Sequence, residues 1–398
     1  MNETGSTHLP QCSDDSSLQL LNTDSDVRFW INIVIVPICV IFGITGNVLS
    51  FIVIDRITFG LPSSKTLVKA LATFDIMYLA GSLLFQTMRT IQYDTDWLGE
   101  VFIYPYLHPV VWPYMTTTQT IATWIIVVIA TDRYVAIEFP FKALSICTAA
   151  KARVAVKIII GASVVFNFPH CFEYKWEDVS NPCTSDVIVD IVPTDLFMNR
   201  AYQIAYWSVL TLLLRFVLPL TALCVLTVCL LGSIDKARKR QRPQASAVIV
   251  NRCSRKDGVT PVLLAVVVSF LLCQSIEFVM HILTTLRWTN ATYRENENTT
   301  AQQIANTVGN LLLVVSASIN FILYLAFAKS FQSAVKQLLC SKVHCVNSVS
   351  ASTSVNDYDL QVREEIGTMD DPDHARDLGL SSDKRASGAT SGHVDAIL

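Results

Sequence analysis

The sequence predicts an all-α membrane protein, a bundle of seven transmembrane helices with a short amphipathic helix on the membrane surface after the last. Three observations carry this. Of 398 residues, 52% are hydrophobic and only 16% charged, against about 25% charged in ordinary soluble domains. Seven apolar stretches are long enough to cross a hydrocarbon core about 30 Å thick, which takes roughly 20 helical residues. None shows the polar stripe that a helix of a soluble bundle would keep. The 30 Lys plus Arg nearly balance 33 Asp plus Glu, for a net charge of −3, so no global basic field for nucleic acid exists. Eleven cysteines without a CxxC pair disfavour zinc ribbons and thioredoxin-like redox motifs.

The spans are expected at 29–54, 66–88, 101–131, 158–172, 201–234, 258–286 and 301–328. The first, third and seventh contain no Asp, Glu, Lys or Arg. The fourth is short by this measure, and begins near Ala150 if Lys151 and Lys157 extend their amines back to the interface. Residues 1–28 are polar, carry Asp14, Asp15, Asp24 and Asp26, and lack the charged and apolar regions of a cleavable signal.

Orientation follows from loop charge. Between spans five and six lie Lys236, Arg238, Lys239, Arg240, Arg242, Arg252, Arg255 and Lys256, whereas the loop after span four carries Glu173, Glu177, Asp178, Asp186, Asp190 and Asp195. Positive loops stay inside, so residues 1–28 form an extracellular segment at the plasma membrane. The three glycosylation sequons, at Asn2, Asn290 and Asn298, all fall outside in this topology. Residues 29–328 form the membrane domain and 329–340 an amphipathic juxtamembrane helix. Residues 341–398, rich in Ser, Thr, Asp and Gly, read as a disordered cytoplasmic tail. Its Ser348, Ser350, Ser352, Thr353 and Ser354 are candidate phosphorylation sites, the alternative being a merely solubilising tail. No internal repeat of the kind seen in transporters is visible.

Ionisable groups at membrane depth are expensive and read as functional. Asn47 lies eight residues in from Asp55, Asp75 ten from Lys65 and Asn320 nine from Lys329, which at 1.5 Å per residue is roughly 12–15 Å deep for all three. This requires Lys69 to snorkel back to the interface. A carboxylate and two amides from three helices at one depth suit a hydrated cluster holding a cation such as sodium; the alternative is a purely structural network. At the inner end of span three stand Thr131-Asp132-Arg133-Tyr134, closing a long uncharged span.

Gly46-Asn47-Val48-Leu49-Ser50, Leu71-Ala72-Thr73-Phe74-Asp75, Asp132-Arg133-Tyr134, Phe216-Val217-Leu218-Pro219 and Asn320-Phe321-Ile322-Leu323-Tyr324 occur in order on matching spans. Over about residues 29–340 the chain thereby resembles the rhodopsin-class G-protein-coupled receptors. Phe166-Asn167-Phe168-Pro169 leading into Phe172-Glu173, Leu272-Cys273-Gln274 and Ser318-Ile319-Asn320-Phe321 resemble invertebrate receptors for FMRFamide-like neuropeptides.

The resemblance implies a receptor rather than an enzyme. Its implied partners are an extracellular peptide, a heterotrimeric G protein, membrane lipid, and a receptor kinase and arrestin at the tail; no cofactor is implied beyond a sodium ion near Asp75. It implies that Asp132, Arg133 and Tyr134, with Pro140 and Phe141 in the next loop, engage the G protein. Asn47, Asp75, Ser316, Asn320 and Tyr324 would form the polar activation core, and Cys340 and Cys345 would carry palmitate. The terminal Ala396-Ile397-Leu398 is a weak candidate for a PDZ groove.

A ligand pocket is expected around Arg215, Gln274, Glu277 and His281. Glu277 and His281 share one helical face. Glu277 either receives a basic group of the ligand, drawn in by the acidic second loop, or pairs internally with Arg215 because an unpaired Arg is costly in the bilayer. FMRFamide-like peptides carry an arginine before an amidated C-terminal Phe, which suits the first reading.

The chain also departs from the family. The outer cysteine of span three is replaced by His108, leaving Cys12, Cys171 and Cys183 outside; Cys171 to Cys183 is the favoured disulfide and Cys12 to Cys183 its competitor. Span four lacks the family tryptophan. Span six reads Cys273-Gln274-Ser275-Ile276 where the family has Cys-Trp-x-Pro, and Phe321 replaces the proline of span seven. Thr227 stands where a tyrosine is usual. Another peptide or a small molecule are alternative ligands, an aminergic one being disfavoured because span three has no aspartate above Asp132. A seven-span transporter or channel relaying ions through Asp75, Arg215 and Glu277 is the remote rival.

Overall fold

The computed structural model describes residues 25–57, 61–95, 103–180, 187–241, 259–289, 300–328 and 331–338. The chain divides into two units, Met1–Lys336 and Gln337–Leu398; the first carries the membrane domain.

Six helices among the described residues are long and apolar enough to cross a membrane: Ser25–Arg56, Pro62–Gln92, Tyr104–Glu138, Arg200–Ser233, Leu264–Leu286 and Ala301–Phe327. The seventh, Ala149–Asn167, is less apolar because Lys151, Arg153 and Lys157 fall within it. In chain order these are spans one to seven, Ala149–Asn167 being span four. Each begins and ends for a local reason. Span two opens on Pro62, whose missing N–H is no loss in a first turn. Thr148 caps span four by accepting from the Lys151 N–H at 3.4 Å, and the Lys151 amine turns back to the Ser145 carbonyl at 2.9 Å. Span four stops earlier than its apolar run predicts, at Asn167, and Phe168–Phe172 tighten into a 3-10 turn. Pro169 there cannot extend an α-helical ladder. Asn199 caps span five, its Oδ1 accepting from the N–H groups of Ala201 and Tyr202 at 2.9 and 3.3 Å.

The loop after span four is a finding beyond the predicted all-α class. Tyr174–Ser180 (β1) and Val187–Pro193 (β2) pair as an antiparallel hairpin, with Trp176 opposite Ile191 and Glu177 opposite Asp190. The Val-Ile-Val-Asp-Ile-Val run of β2 has the β-branched content that favours a strand.

Span three packs on spans two, four and five, while span seven joins span six to span one. Val36, Val53, Leu79, Ile125 and Val314 are wholly buried between them, whereas Ile41, Val165 and Val228 face outward, toward lipid. Lys69 turns toward the end of span one: it pairs with Asp55 and stands 5.0 Å over the Phe51 ring. Phe321 packs against Phe331 of the helix at 331–338, with ring centroids 5.9 Å apart. On its other side a Cβ added at Gly46 would stand 2.7 Å from the Phe321 Cβ. Where the family has proline, this chain therefore fills the volume with an aromatic ring that only glycine in span one admits.

Candidate functional site

Three polar layers lie along the inside of the bundle. In the outermost, Arg215 of span five donates to the side-chain oxygen of Gln119 in span three. The Nε of Arg215 and the Nε2 of Gln119 are buried without partners. Arg215 and Glu277 make no direct ion pair; Glu277 is half-buried and lies against Gly309 of span seven. Of the two sequence readings for Glu277, the contact pair with Arg215 is thus not formed, although the two remain in electrostatic reach of each other. The His281 ring stacks on Trp207 at 6.2 Å and meets Phe216 at 5.2 Å, and its Nε2 is buried without a partner. Span five is π-helical over Gln203–Leu210 and again over Leu212–Val217; such wider turns are frequent at functional sites. Gln274 is 1% exposed, and neither its Nε2 nor its Oε1 has a partner.

The middle layer surrounds Asp75. The Asn320 Nδ2 donates to its carboxylate at 2.7 Å. Asn47 is not joined to them, because its Nδ2 donates to the carbonyls of Gly43 and Ala317, both at 2.9 Å. A cavity of about 30 Å³ opens beside Asp75, lined by Gln119, Ser316 and Asn320 and by the apolar Ile126 and Phe270; that is room for a water or a small cation. Oxygen atoms of a carboxylate, a hydroxyl and amides are the donors that a hard cation prefers. Tyr324 is buried below, its ring 5.6 Å from Phe331.

The innermost layer is a clamp. Ser63 and Ser64, in the first turn of span two, donate to the two carboxylate oxygens of Asp132 at 2.6 and 3.1 Å. Arg133 donates to Ser64 and to Asp132, and both charged side chains are buried. Two hydroxyls and a guanidinium thus satisfy one carboxylate, a charge-assisted arrangement stronger than neutral bonds. A small cleft beside Arg133 is lined by Leu226, Thr227 and Leu230 of span five and by Leu264 and Val267 of span six. Beyond it, Tyr134 packs on Phe139. Pro140 opens the short helix Pro140–Ile146, on which Phe141 is 90% exposed. Cys147 follows, its thiol pushed up to about 12 by burial and by the nearby Asp132.

The sequence profile of the seven-transmembrane receptors of the rhodopsin family matches residues 46–324. The chain belongs to the rhodopsin family of seven-transmembrane receptors. It is 25% identical over 309 residues to the FMRFamide receptor of Drosophila melanogaster, an alignment covering 77% of this chain and 53% of that protein. It is 24% identical over 335 residues to the FMRFamide peptide receptor frpr-18 of Caenorhabditis elegans, covering 83% and 74%. Galanin receptor type 1 of Mus musculus is 24% identical over 333 residues, covering 83% and 87%. The chain spans about half the length of the Drosophila relative it matches.

In this receptor the structure adds groups that sequence reasoning passed over. Gln119 joins the outer layer to the Asp75 cavity; a search for charged residues alone does not find an amide. Ser63 and Ser64 precede the expected start of span two. Glu173 reads in the sequence as a loop charge and as part of the Phe172-Glu173 motif, with no site role, yet it is wholly buried. The missing cysteine of span three also has a replacement. His108 meets Tyr174 of β1 at 4.6 Å between ring centroids, and the indole of Trp176 donates to the Pro105 carbonyl at 3.0 Å. Cys171 is an exposed free thiol, held up in pKa by burial and by Glu173. Cys12, Cys183, Cys340, Cys345, Asn2, Asn290 and Asn298 lie outside the described residues.

Proposed function

We propose that this receptor sits in the plasma membrane with its N-terminus outside, binds an extracellular amidated neuropeptide of the RFamide type, and passes the event to a heterotrimeric G protein. The observation that carries the reading is the likeness to receptors named for FMRFamide. The three stacked polar layers support it: unpartnered donors at Arg215 and Gln119 on the ligand side, the Asp75 cavity between, and the Arg133 clamp at the inner end. Ligand energy counts only as a higher affinity for the active arrangement. In that arrangement Arg133 leaves Ser64 and Asp132 and, with Phe141, meets the G protein. Asp75, Ser316 and Asn320 would hold a sodium ion in the resting form, supplying counter-charge to the carboxylate. Kinase and arrestin would act on the serine cluster of the tail, and the basic loop after span five would contact anionic lipid.

The test is a second-messenger assay in cells expressing the full chain, with amidated RFamide peptides applied to wild type and Arg133→Ala. A saturable response lost in the variant is the expected result. Silence across the panel, with surface expression verified, overturns the ligand class. The galanin receptor likeness favours a different peptide as the second reading, and a galanin-type panel tests it.

A further inference from the structure

Five aromatic rings close on one another at the outer end of the receptor. Tyr174 meets His108 at 4.6 Å, His108 meets Trp112 at 6.3 Å and Trp112 stacks on Trp207 at 6.2 Å. Trp207 meets Phe197 at 6.1 Å, and Phe197 returns to Tyr174 at 5.3 Å. The rings come from span three, β1, the turn of helix Asp195–Met198 and span five. Trp112 and Trp207 lie nearly parallel, at 7°, with His108 at 12° to Trp112, while Tyr174 stands at 77° to His108 and Phe197 at 83° to Trp207; an aromatic face attracts a cation within ~6 Å of its centroid. Four of them, Trp112, Tyr174, Phe197 and Trp207, are only half-buried, so the ring is reachable from outside.

A carboxylate stands at this wall. Glu173 is 0% exposed. Its Oε1 accepts from the Tyr202 hydroxyl at 2.8 Å and from the Trp207 indole N–H. His170 Nδ1 lies 2.9 Å from the same oxygen, out of line for a hydrogen bond, and the His170 ring touches both indoles. The second oxygen, Oε2, is buried with no partner. Among the described residues no Lys or Arg pairs with this carboxylate. A buried carboxylate that spends one oxygen on three neighbours and leaves the other empty is an unfinished site.

We propose that the aromatic ring and Glu173 form a cation subsite that takes a guanidinium group of the ligand. A guanidinium is planar, weakly hydrated and stacks on aromatic faces, and its N–H groups suit a carboxylate oxygen, whereas an ammonium loses more hydration on entry. The ligand's positive charge is then received at Glu173, beneath the outer hairpin, and not at Glu277. That the guanidinium belongs to a peptide arginine rests on the RFamide reading; the subsite itself does not.

The purified full-length receptor is first tested by thermal unfolding with argininamide and with its uncharged analogue citrullinamide. Argininamide should raise the melting temperature saturably and citrullinamide should not, with the difference lost in Glu173→Gln and kept in Glu277→Gln. Cells expressing the receptor are then given an RFamide peptide and its Arg-to-citrulline version. Wild type should lose roughly 10- to 100-fold in potency on this change, as for a bond to a charged group, and Glu173→Gln should respond to both alike. If Glu173→Gln folds poorly, Trp112→Leu opens the ring without touching the carboxylate's bonds and should shrink the same difference. Equal stabilisation by the two amides in wild type, or a charge preference that survives in Glu173→Gln or moves to Glu277→Gln, overturns the proposal. A positive argininamide result with silent RFamide peptides removes the peptide class and leaves the subsite standing.

Discussion

The indole of Trp176 donates to the carbonyl of Pro105 at 3.0 Å, and that carbonyl is open because Pro109, four residues on inside the same helix, has no N–H to offer it. Two residues of unrelated segments are thus joined through a gap that a third leaves in the helix ladder. Trp176→Phe keeps the ring contact with Tyr106 but removes this bond, a loss of about 0.5–1.5 kcal/mol. Amide exchange in β1 and β2 should speed up by roughly 2- to 10-fold, with helix cores unchanged. Unaltered exchange would mean that the bond contributes nothing to holding the hairpin.

At the inner end, Ser64 accepts from Arg133 and donates to Asp132, and so stands between two charges. Ser64→Ala removes both bonds and biases the clamp toward release. Basal second-messenger level at matched surface expression should rise about 2- to 10-fold, while Arg133→Ala should fall to background. A silent Ser64→Ala would show that the clamp does not hold the resting state.

The Gln119 to Arg215 bond gives a pairwise test. Gln119→Leu leaves a half-buried guanidinium without its acceptor, destabilising by about 1–3 kcal/mol. Surface expression and melting temperature should drop. Arg215→Leu in the same chain should restore them, because an apolar pair in place of a buried polar one is close to neutral. Additive losses in the double variant would contradict the pairing.

With its thiol pushed up to about 12, Cys147 carries almost no thiolate at neutral pH, and the thiolate is the reactive form. Iodoacetamide at pH 8 should leave Cys147 unmodified in the folded receptor and label it after denaturation, as read by mass spectrometry of the peptide containing it. Because the folded value lies above the ordinary thiol value of 9.0, raising the pH to 9 should label the denatured chain fast and the folded chain hardly at all.

The spans were legible because lipid leaves few alternatives to long apolar helices, and Asp75 and Asn320, placed at one depth by counting, are hydrogen-bonded. Asn47, at the same depth, is turned to the carbonyls of Gly43 and Ala317; depth says nothing about which way a side chain faces. The partner of Arg215 was hidden because charge was weighed against charge, and the acceptor is an amide. The aromatic ring around Tyr174 draws on His108, Trp112, Phe197 and Trp207, residues with no shared periodicity that only the hairpin and span five bring together. The hairpin itself was masked by its acidic residues, which read as loop.

The tether from span three to β1 uses no cysteine of span three: it includes the Trp176 to Pro105 hydrogen bond and ring contacts such as that of His108 with Tyr174. A family cysteine bridge would make that junction permanent once oxidised. Here it is a thermal latch that opens and reseats without chemistry. With no cysteine in span three, its grip weakens with heat rather than with reductant.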